Sequence, residues 1–212
     1  MNKNIVLVLL LFLLAVIFFS GKIYKNQNNM KVENDKKMVE NVEWKKAYFS
    51  GGCFWCIEAP LQEKRGIKEV ISGYIGGDAS TANYEDVSTG RTKHRESVEV
   101  IYNPQVVDYR MLVKTFLYQI DPTDEGGQFA DRGYQYTTAI HYQNEEEKKI
   151  ALEEIEKIKE AKKFQKEIAL KVIPFKEFFR AEEYHQDFYK KSSEHYERYK
   201  KASGRKDFIE EN

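Results

Sequence analysis

The chain has 212 residues, equal numbers of basic and acidic side chains (34 each), and two cysteines. A formal net charge of zero gives no whole-molecule field for nucleic acid or an acidic membrane surface, so no nucleic-acid partner is expected. Two cysteines exclude a multi-bridge disulfide scaffold and a four-cysteine zinc site, and the four histidines show no metal-ligand spacing. The length allows one domain with a sizeable core plus appendages.

The N-terminus carries an unbroken apolar run from Ile5 to Phe19, with Lys3 before it and Lys22 after it. Its length lies between the core of a long signal peptide and a short membrane-spanning helix. Bulky phenylalanines stand where a cleavage site needs small residues, so residues 1–21 are interpreted as an uncleaved membrane anchor, with a cleaved signal peptide as the alternative. Both interpretations predict a membrane-anchored or secreted protein whose folded part is extracytoplasmic, where a disulfide can persist.

Residues 22–43 are polar and lack an apolar period, which predicts a flexible tether. A folded domain is predicted over residues 44–200, followed by a polar tail over 201–212. The domain begins with a short strand, "WKKAYFS", which ends at a glycine pair. A short helix, "WCIEAPLQEKRG", follows, and Pro60 is compatible with it only in the first turn, where a missing N–H is unpaired anyway.

Alternation of apolar and polar residues predicts further strands in "IKEVISGYIGG", "ESVEVIYNP", "TTAIHY" and "EIALKVIPF". Asp108 and Asn144 are the predicted N-caps of two amphipathic helices, and "AEEYHQDFYKKSSEHYERYKK" predicts a terminal helix. Two long polar loops, which are usually functional in compact domains, interrupt this pattern. The order β-α-β-β-α-β-α-β indicates an α+β fold, a mixed αβ sandwich.

The two cysteines form a C-x-x-C pair, Cys53 and Cys56, where the first strand leads into the first helix. Helix N–H groups would face the Cys53 sulfur, and that placement favours the nucleophilic thiolate. A bond between the two cysteines would distort the first helical turn, since helical neighbours three apart have Cβ atoms roughly 5–6 Å apart. A strained bond closing a very small loop suits a transient redox role better than a structural one. Phe54 and Trp55, between the cysteines, could equally pack in the core or line a substrate pocket.

Five blocks in order, "GCFWCIEA", "GYIGG", "YEDVSTGRTKHRESVEVIYNP", "DPTDEGGQFADRGYQYTTAIHY" and "AEEYHQ", resemble peptide methionine sulfoxide reductase A. The resemblance covers nearly all of the folded part, from about 47 to about 189, and includes the GCFWC form of the motif. It implies a ferredoxin-like core within the mixed αβ fold, a monomer, and no bound cofactor or metal. It also implies reduction of methionine S-sulfoxide, free or in oxidised proteins, with electrons from thioredoxin or a thioredoxin-like protein.

The resemblance assigns a role to each matching position. Cys53 would be the nucleophile that becomes a sulfenic acid, and Cys56, the only other thiol, would form the disulfide with it. Glu96 would donate a proton to the sulfoxide oxygen, and burial beside aromatic rings would keep that carboxyl protonated. The remaining family positions are two tyrosines that hydrogen-bond the oxygen, an acid that orients the substrate main chain, and two rings that hold the methyl group: Tyr84, Tyr136, Asp131, Phe54 and Trp55.

Two other functions are weighed against this one. A thioredoxin-type thiol–disulfide oxidoreductase also carries C-x-x-C at a helix start, although this chain lacks a proline in the matching setting. A non-catalytic, membrane-tethered binding domain could retain the fold without the activity. The sequence also departs from the usual family pattern at four positions around the site: Lys93, Arg95, Ala130 and Thr137.

Overall fold

The computed structural model describes residues 43–211. From Trp44 onward the described residues form one compact unit. The predicted anchor, and the predicted tether up to residue 42, therefore lie outside the described residues. Within residues 43–211, none of the helices is both long enough and apolar enough to cross a bilayer.

Six strands form one mixed sheet, and two very short strands form a separate hairpin. The sheet strands are β1 (Lys45–Ser50), β2 (Ile67–Ile75), β3 (Arg95–Tyr102), β6 (Ala139–Tyr142), β7 (Lys171–Pro174) and β8 (Phe178–Arg180); the hairpin strands are β4 (Gly127–Gln128) and β5 (Asp131–Arg132). The sheet order is β7-β6-β1-β3-β2-β8, and only the β6–β7 pair is parallel. The four inner strands are all antiparallel, in the order of a ferredoxin-like βαββαβ unit. The predicted α+β class is confirmed.

Seven α-helices lie in the described part of the chain. They are α1 (Phe54–Gln62), α2 (Tyr84–Ser88), α3 (Tyr109–Leu117), α4 (Glu145–Glu160), α5 (Phe188–Lys191), α6 (Ser193–Ala202) and α7 (Arg205–Glu211). The predicted caps of the two amphipathic helices are confirmed: Asp108 accepts from the Met111 N–H and Asn144 from the Glu147 N–H. Helix α1 packs on β2 and β3, while α3 packs against α1, β1 and α4.

Strand alternation decides which side chains of β3 reach the helices. Val98 and Val100 lie on the face that packs into the apolar core, and both are fully buried. Because side chains alternate, Glu96 lies on the same face, at the end nearest α1. Glu99 lies on the opposite face, where its carboxylate accepts hydrogen bonds from the Tyr48 hydroxyl (2.8 Å) and the Lys46 ammonium (3.0 Å).

Two sequence predictions about helices are wrong. Pro60 lies in the interior of α1 rather than in its first turn. The single predicted terminal helix is a 3₁₀ turn, Glu183–His185, followed by α5 and α6, with Asp187 in a left-handed conformation at the start of α5. The break has a packing reason, since the Asp187 N–H donates to the buried Glu58 carboxylate of α1 (2.8 Å).

The predicted polar tail over residues 201–212 is also corrected. Helix α7 occupies most of it, and Arg205 at its start is fully buried. Polar composition led to the prediction, but this guanidinium is held by main-chain carbonyls of distant segments, which composition does not reveal.

Candidate active site

The two thiols lie at the start of α1, beneath the terminal helices. Cys53 is the N-cap residue of α1, and the Cys56 N–H donates to the Cys53 carbonyl (3.1 Å). Both cysteines are buried and free. Gly52 before them has φ +80°, and a Cβ there would lie 2.6 Å from the Gln128 side chain. A glycine is therefore required in this turn, because a side chain would collide with Gln128 and the backbone conformation is left-handed.

Electrostatics separate the two thiols. Burial raises the pKa of Cys53 well above its ordinary value, and the hydrogen bond shared with Cys56 raises it further. The same hydrogen bond lowers the pKa of Cys56, against the effect of burial, and the charge of Arg205 lowers it as well. Burial at Cys53 therefore opposes the thiolate that the helix N-terminus was predicted to favour.

Glu96 is the acid of the site. Its side chain is 2% exposed, and the Phe54 N–H, at the start of α1, donates to Oε2 (3.1 Å). Burial raises the pKa of this carboxyl to about 8, even though the hydrogen bond from Phe54 opposes the shift. At neutral pH the carboxyl is protonated and can donate a proton beside the thiol pair.

Tyr84 begins α2 and is held by an acid that the sequence analysis missed. The Glu182 carboxylate accepts from the Tyr84 N–H (2.8 Å) and from the Tyr74 hydroxyl (2.8 Å), so it ties α2 to β2. Burial raises the pKa of Tyr84, and the charges of Glu96 and Cys53 raise it further. The phenol stays protonated and available as a donor.

Tyr136 and Asp131 come from the second long loop. Burial raises the pKa of Tyr136, and the neighbouring Glu96 and Tyr84 add to the shift. Asp131 accepts a short hydrogen bond from the hydroxyl of Tyr199 on α6. Burial raises the pKa of Asp131, while that hydrogen bond and the charge of Arg205 oppose the shift. The second long loop and helix α6 are therefore in contact at the Asp131 carboxyl.

Aromatic rings form one wall of the site. Phe54 is fully buried, with its ring centroid 4.9 Å from that of His185, and it belongs to the main core. Trp55 is partly exposed and stacks on Phe188 of α5 at 3.9 Å. Burial lowers the pKa of His185 to about 4, so its imidazole is neutral and acts as another ring, 4.5 Å from Tyr84. Both interpretations of the aromatic pair therefore have support, core packing for Phe54 and an accessible wall for Trp55.

The structure brings all eight sequence-predicted site residues into one neighbourhood around α1. It adds three that the sequence analysis did not single out, namely Glu182, Tyr199 and Arg205. Glu182 lies within the "AEEYHQ" block but received no role there, whereas Tyr199 and Arg205 lie outside every quoted block. Each of the three acts through a contact with a segment far away in sequence. Two of the four departures from the family pattern contact each other: Arg95 Nε donates to Thr137 Oγ1 (2.8 Å).

Between residues 43 and 211, no group of three or more His, Cys, Asp or Glu side chains could hold a metal ion. The chemical resources of the site are thus two thiols, a protonated carboxyl, phenols and aromatic rings.

Comparison with known proteins gives a consistent result. The family model described as "Peptide methionine sulfoxide reductase" matches residues 45–212. The protein named peptide methionine sulfoxide reductase MsrA from Bacillus velezensis is 46% identical over 166 residues, covering 78% of this chain and 94% of that protein. Its namesake from Bacillus subtilis is 45% identical over 166 residues, with the same coverage.

Solved structures show the same fold. Mxr1 from Saccharomyces cerevisiae, in reduced form, superposes with a TM-score of 0.63 and 32% identity, covering 71% of this chain and 86% of that one. Methionine sulfoxide reductase A of Corynebacterium diphtheriae superposes with a TM-score of 0.63 and 28% identity, covering 71% of this chain and 76% of that one.

Proposed function

This chain belongs to the peptide methionine sulfoxide reductase family, and from that premise we propose how its site reduces methionine S-sulfoxide to methionine. One observation carries the proposal. A buried carboxyl with a pKa of about 8, Glu96, lies at the helix start that also holds the chain's only two thiols. A sulfoxide sulfur accepts a thiolate only when its oxygen is protonated as charge develops, and this pairing of groups meets that need.

The first step is attack of Cys53 on the sulfoxide sulfur. The proton of Cys53 has a path to Cys56 through the hydrogen bond between them. Glu96 donates a proton to the oxygen, with Tyr84 and Tyr136 as further donors to it. Methionine leaves, and Cys53 becomes a sulfenic acid. Asp131 orients the substrate main chain, and Trp55 with Phe54 contacts the S-methyl group.

The second step is resolution. The Cys56 sulfur attacks Cys53, a disulfide forms, and the oxygen leaves as water. A thioredoxin or thioredoxin-like dithiol then reduces the disulfide by thiol exchange. The substrate is methionine sulfoxide, either free or as a residue of an oxidised protein, and the enzyme acts as a monomer.

The decisive experiment uses no reductant. The full-length reduced protein, mixed with excess methionine S-sulfoxide, should release about one methionine per chain and lose both thiols. The Cys53→Ser protein should release no methionine. Methionine R-sulfoxide serves as the control substrate, and the unaltered protein should release no methionine from it. Release of methionine by Cys53→Ser, or no release by the unaltered protein, would refute the proposal. An insulin-reduction assay separates this activity from that of a thioredoxin-type oxidoreductase, which should reduce insulin and form no methionine.

We also propose that the apolar run of residues 5–19 anchors the enzyme in a membrane with its catalytic domain outside the cytoplasm. The support is the sequence alone: an uncharged stretch of nearly spanning length without a small-residue cleavage site. Mass spectrometry of the mature N-terminus from isolated membranes tests it. An intact N-terminus in the membrane fraction is expected, and a new N-terminus after residue 20 or 21 would instead identify a cleaved signal peptide.

A further inference from the structure

Arg205 is an unusual residue in this fold. It is the largest fully buried side chain of the described residues, at 0% exposure. Charged side chains are almost never fully buried unless paired. Its guanidinium is held by two main-chain carbonyls, with Nη1 donating to Gln119 (2.6 Å) and Nη2 to Gly51 (2.9 Å). Carbonyls are neutral dipoles, so they satisfy the donors of the guanidinium without cancelling its charge.

The guanidinium lies directly against the turn that leads into Cys53. A Cβ on Gly52 would come within 2.8 Å of Nη2, and the other side of the guanidinium faces the Phe129 ring at 4.7 Å. Phe129 is two residues before Asp131. One buried side chain of α7 therefore touches the nucleophile turn and the loop that carries the substrate-orienting acid.

We propose that Arg205 is a positioning residue of the resolving step: it fixes the Gly51–Gly52 turn and supplies a buried positive charge that favours the thiolate of Cys56. This inference rests on the proposed function, in which Cys56 attacks the Cys53 sulfenic acid. In that step the S–S bond forms and the S–O bond of Cys53 breaks. The Cys56 sulfur is oxidised and the Cys53 sulfur reduced, while the proton lost by Cys56 leaves with the hydroxyl as water.

Other charged and titratable groups also act on Cys56 from the elements around it. They are Cys53 and Glu96 beside the start of α1, Asp131 on β5, Lys200, Tyr196 and Tyr199 on α6, and Arg205 on α7. The hydrogen bond from Cys53 lowers the pKa of Cys56 most, and the charges of Arg205 and Lys200 lower it as well. Burial and the charge of Asp131 raise it. Lys200 is partly exposed and its charge is screened by water, whereas Arg205 is fully enclosed, so we assign the larger effect to Arg205.

The test measures the ionisation of Cys56 directly. In the Cys53→Ser protein Cys56 is the sole thiol, and serine keeps a hydrogen-bond donor at position 53. Its titration is followed by ultraviolet thiolate absorbance and by the pH dependence of alkylation. With Arg205 in place, the midpoint should lie below the value of about 8.5 for an ordinary thiol, despite full burial. A midpoint above that value would overturn the inference without any change at Arg205.

Two substitutions at Arg205 and one control sharpen the test. Arg205→Gln should raise the midpoint by about one unit, which corresponds to roughly tenfold less thiolate at neutral pH and tenfold slower disulfide formation. Arg205→Lys, which keeps the charge, should raise it less. Lys200→Gln is the matched control and should shift it least. An unchanged midpoint in folded Arg205→Gln, or a larger shift in Lys200→Gln, would show that Arg205 is only structural.

Failure of this inference is distinguishable from failure of the proposed function. The Cys56→Ser protein should still release about one methionine per chain without reductant and leave a dimedone-reactive sulfenic acid at Cys53. If that methionine is absent, the proposed reaction itself fails. If methionine is formed but substitution of Arg205 leaves the titration midpoint of Cys56 unchanged, only the role proposed for Arg205 is refuted.

Discussion

Strand β3 and the terminal helices approach the same pair of thiols, but they are held in place very differently. All but one of the β3 residues are buried, and both of its neighbours, β1 and β2, pair with it along most of its length. Helix α6 buries only Tyr196. Glu96 therefore lies on a central strand that is almost entirely buried. In contrast, helices α5 and α6, which cover Cys53 and Cys56, have few buried side chains to hold them.

The difference separates two requirements of the reaction. Proton donation needs a carboxyl held in a fixed, dry position, which a central strand provides. Entry of a substrate, and later of a reducing protein, needs a surface that opens at low free-energy cost, and segments with few buried contacts open most readily. We expect changes on β3 to affect the chemistry, and changes on α5 and α6 to affect binding.

The largest effect is expected from Glu96→Gln, which keeps the shape of the side chain and removes its acidic proton. Methionine formation should fall by roughly 10²–10⁴-fold. In the unaltered enzyme the rate should decline as pH rises through about 8, where the carboxyl ionises, and that decline should be absent from the variant. Stopped-assay rates between pH 6 and about 9 check both outcomes.

The matched control is Glu99→Gln. Glu99 is equally buried in the same strand but lies on the opposite face, bound to Lys46 and Tyr48. Its replacement should leave methionine formation within a few-fold of the unaltered rate. If the two variants lost activity equally, general damage to β3 would explain both losses, and the acid role of Glu96 would be unsupported.

The second prediction concerns stability. Phe116 of α3 is fully buried and stacks on Phe49 of β1 at 4.9 Å. Phe116→Ala should lower the free energy of unfolding by about 3–5 kcal/mol, since it leaves a cavity in the core. Urea denaturation followed by circular dichroism measures it. Phe188→Ala on α5 should cost much less, and equal losses would mean that the terminal helices are as firmly held as the sheet layer.

The third prediction follows from the raised pKa of Glu96, about 8 in the folded chain against 4.5 for an ordinary glutamate. Folding takes up a proton between these values, so the free energy of unfolding should fall as pH rises from about 4.5 to 8. The Glu96→Gln protein lacks this pH dependence. Its free energy of unfolding should therefore increase, relative to that of the unaltered protein, as pH rises from about 4.5 to 8. Thermal unfolding of both proteins at several pH values tests it, and parallel curves would contradict a buried, neutral carboxyl.

The smallest effect is expected on α5, one of the two helices that cover the thiols. Phe188→Ala removes the ring that stacks on Trp55. Because an aromatic pair contributes about 0.5–1.5 kcal/mol beyond its burial, KM should rise up to roughly tenfold while kcat changes little. Steady-state kinetics with methionine S-sulfoxide decide this. A fall in kcat at unchanged KM would place Phe188 in the chemical step instead of in the binding wall.

Much of the layered fold could be predicted from sequence, because its signals are local. The caps Asp108 and Asn144 mark α3 and α4, and the apolar stripe of α3 is buried as expected. The terminal region could not be predicted in the same way. Its sequence pattern predicted one continuous helix. In the structure the Asp187 N–H donates to the buried Glu58 carboxylate of α1, and the predicted helix is interrupted there. The three-residue edge strand β8 is too short to show a period.

The same contrast holds at the site. Cys53 and Glu96 were found because each stands in a recognisable motif, and the alternation of β3 explains why Glu96 faces α1. Tyr199 and Arg205 were missed, since a tyrosine and an arginine in a polar helix look like surface residues. Their roles come from contacts across more than sixty positions of sequence, with Asp131 and with Gly51. Such contacts leave no trace in local composition.

Pro60 gives helix α1 a built-in weak point. Because proline has no N–H, the carbonyl four residues before it, that of Cys56, cannot receive the usual helical hydrogen bond. Under the proposed mechanism, the first turn would distort when Cys53 and Cys56 form their disulfide. The helix is therefore one hydrogen bond short at one of the two cysteines that the proposed disulfide would join, so bending this turn would break fewer helical hydrogen bonds than it would without Pro60.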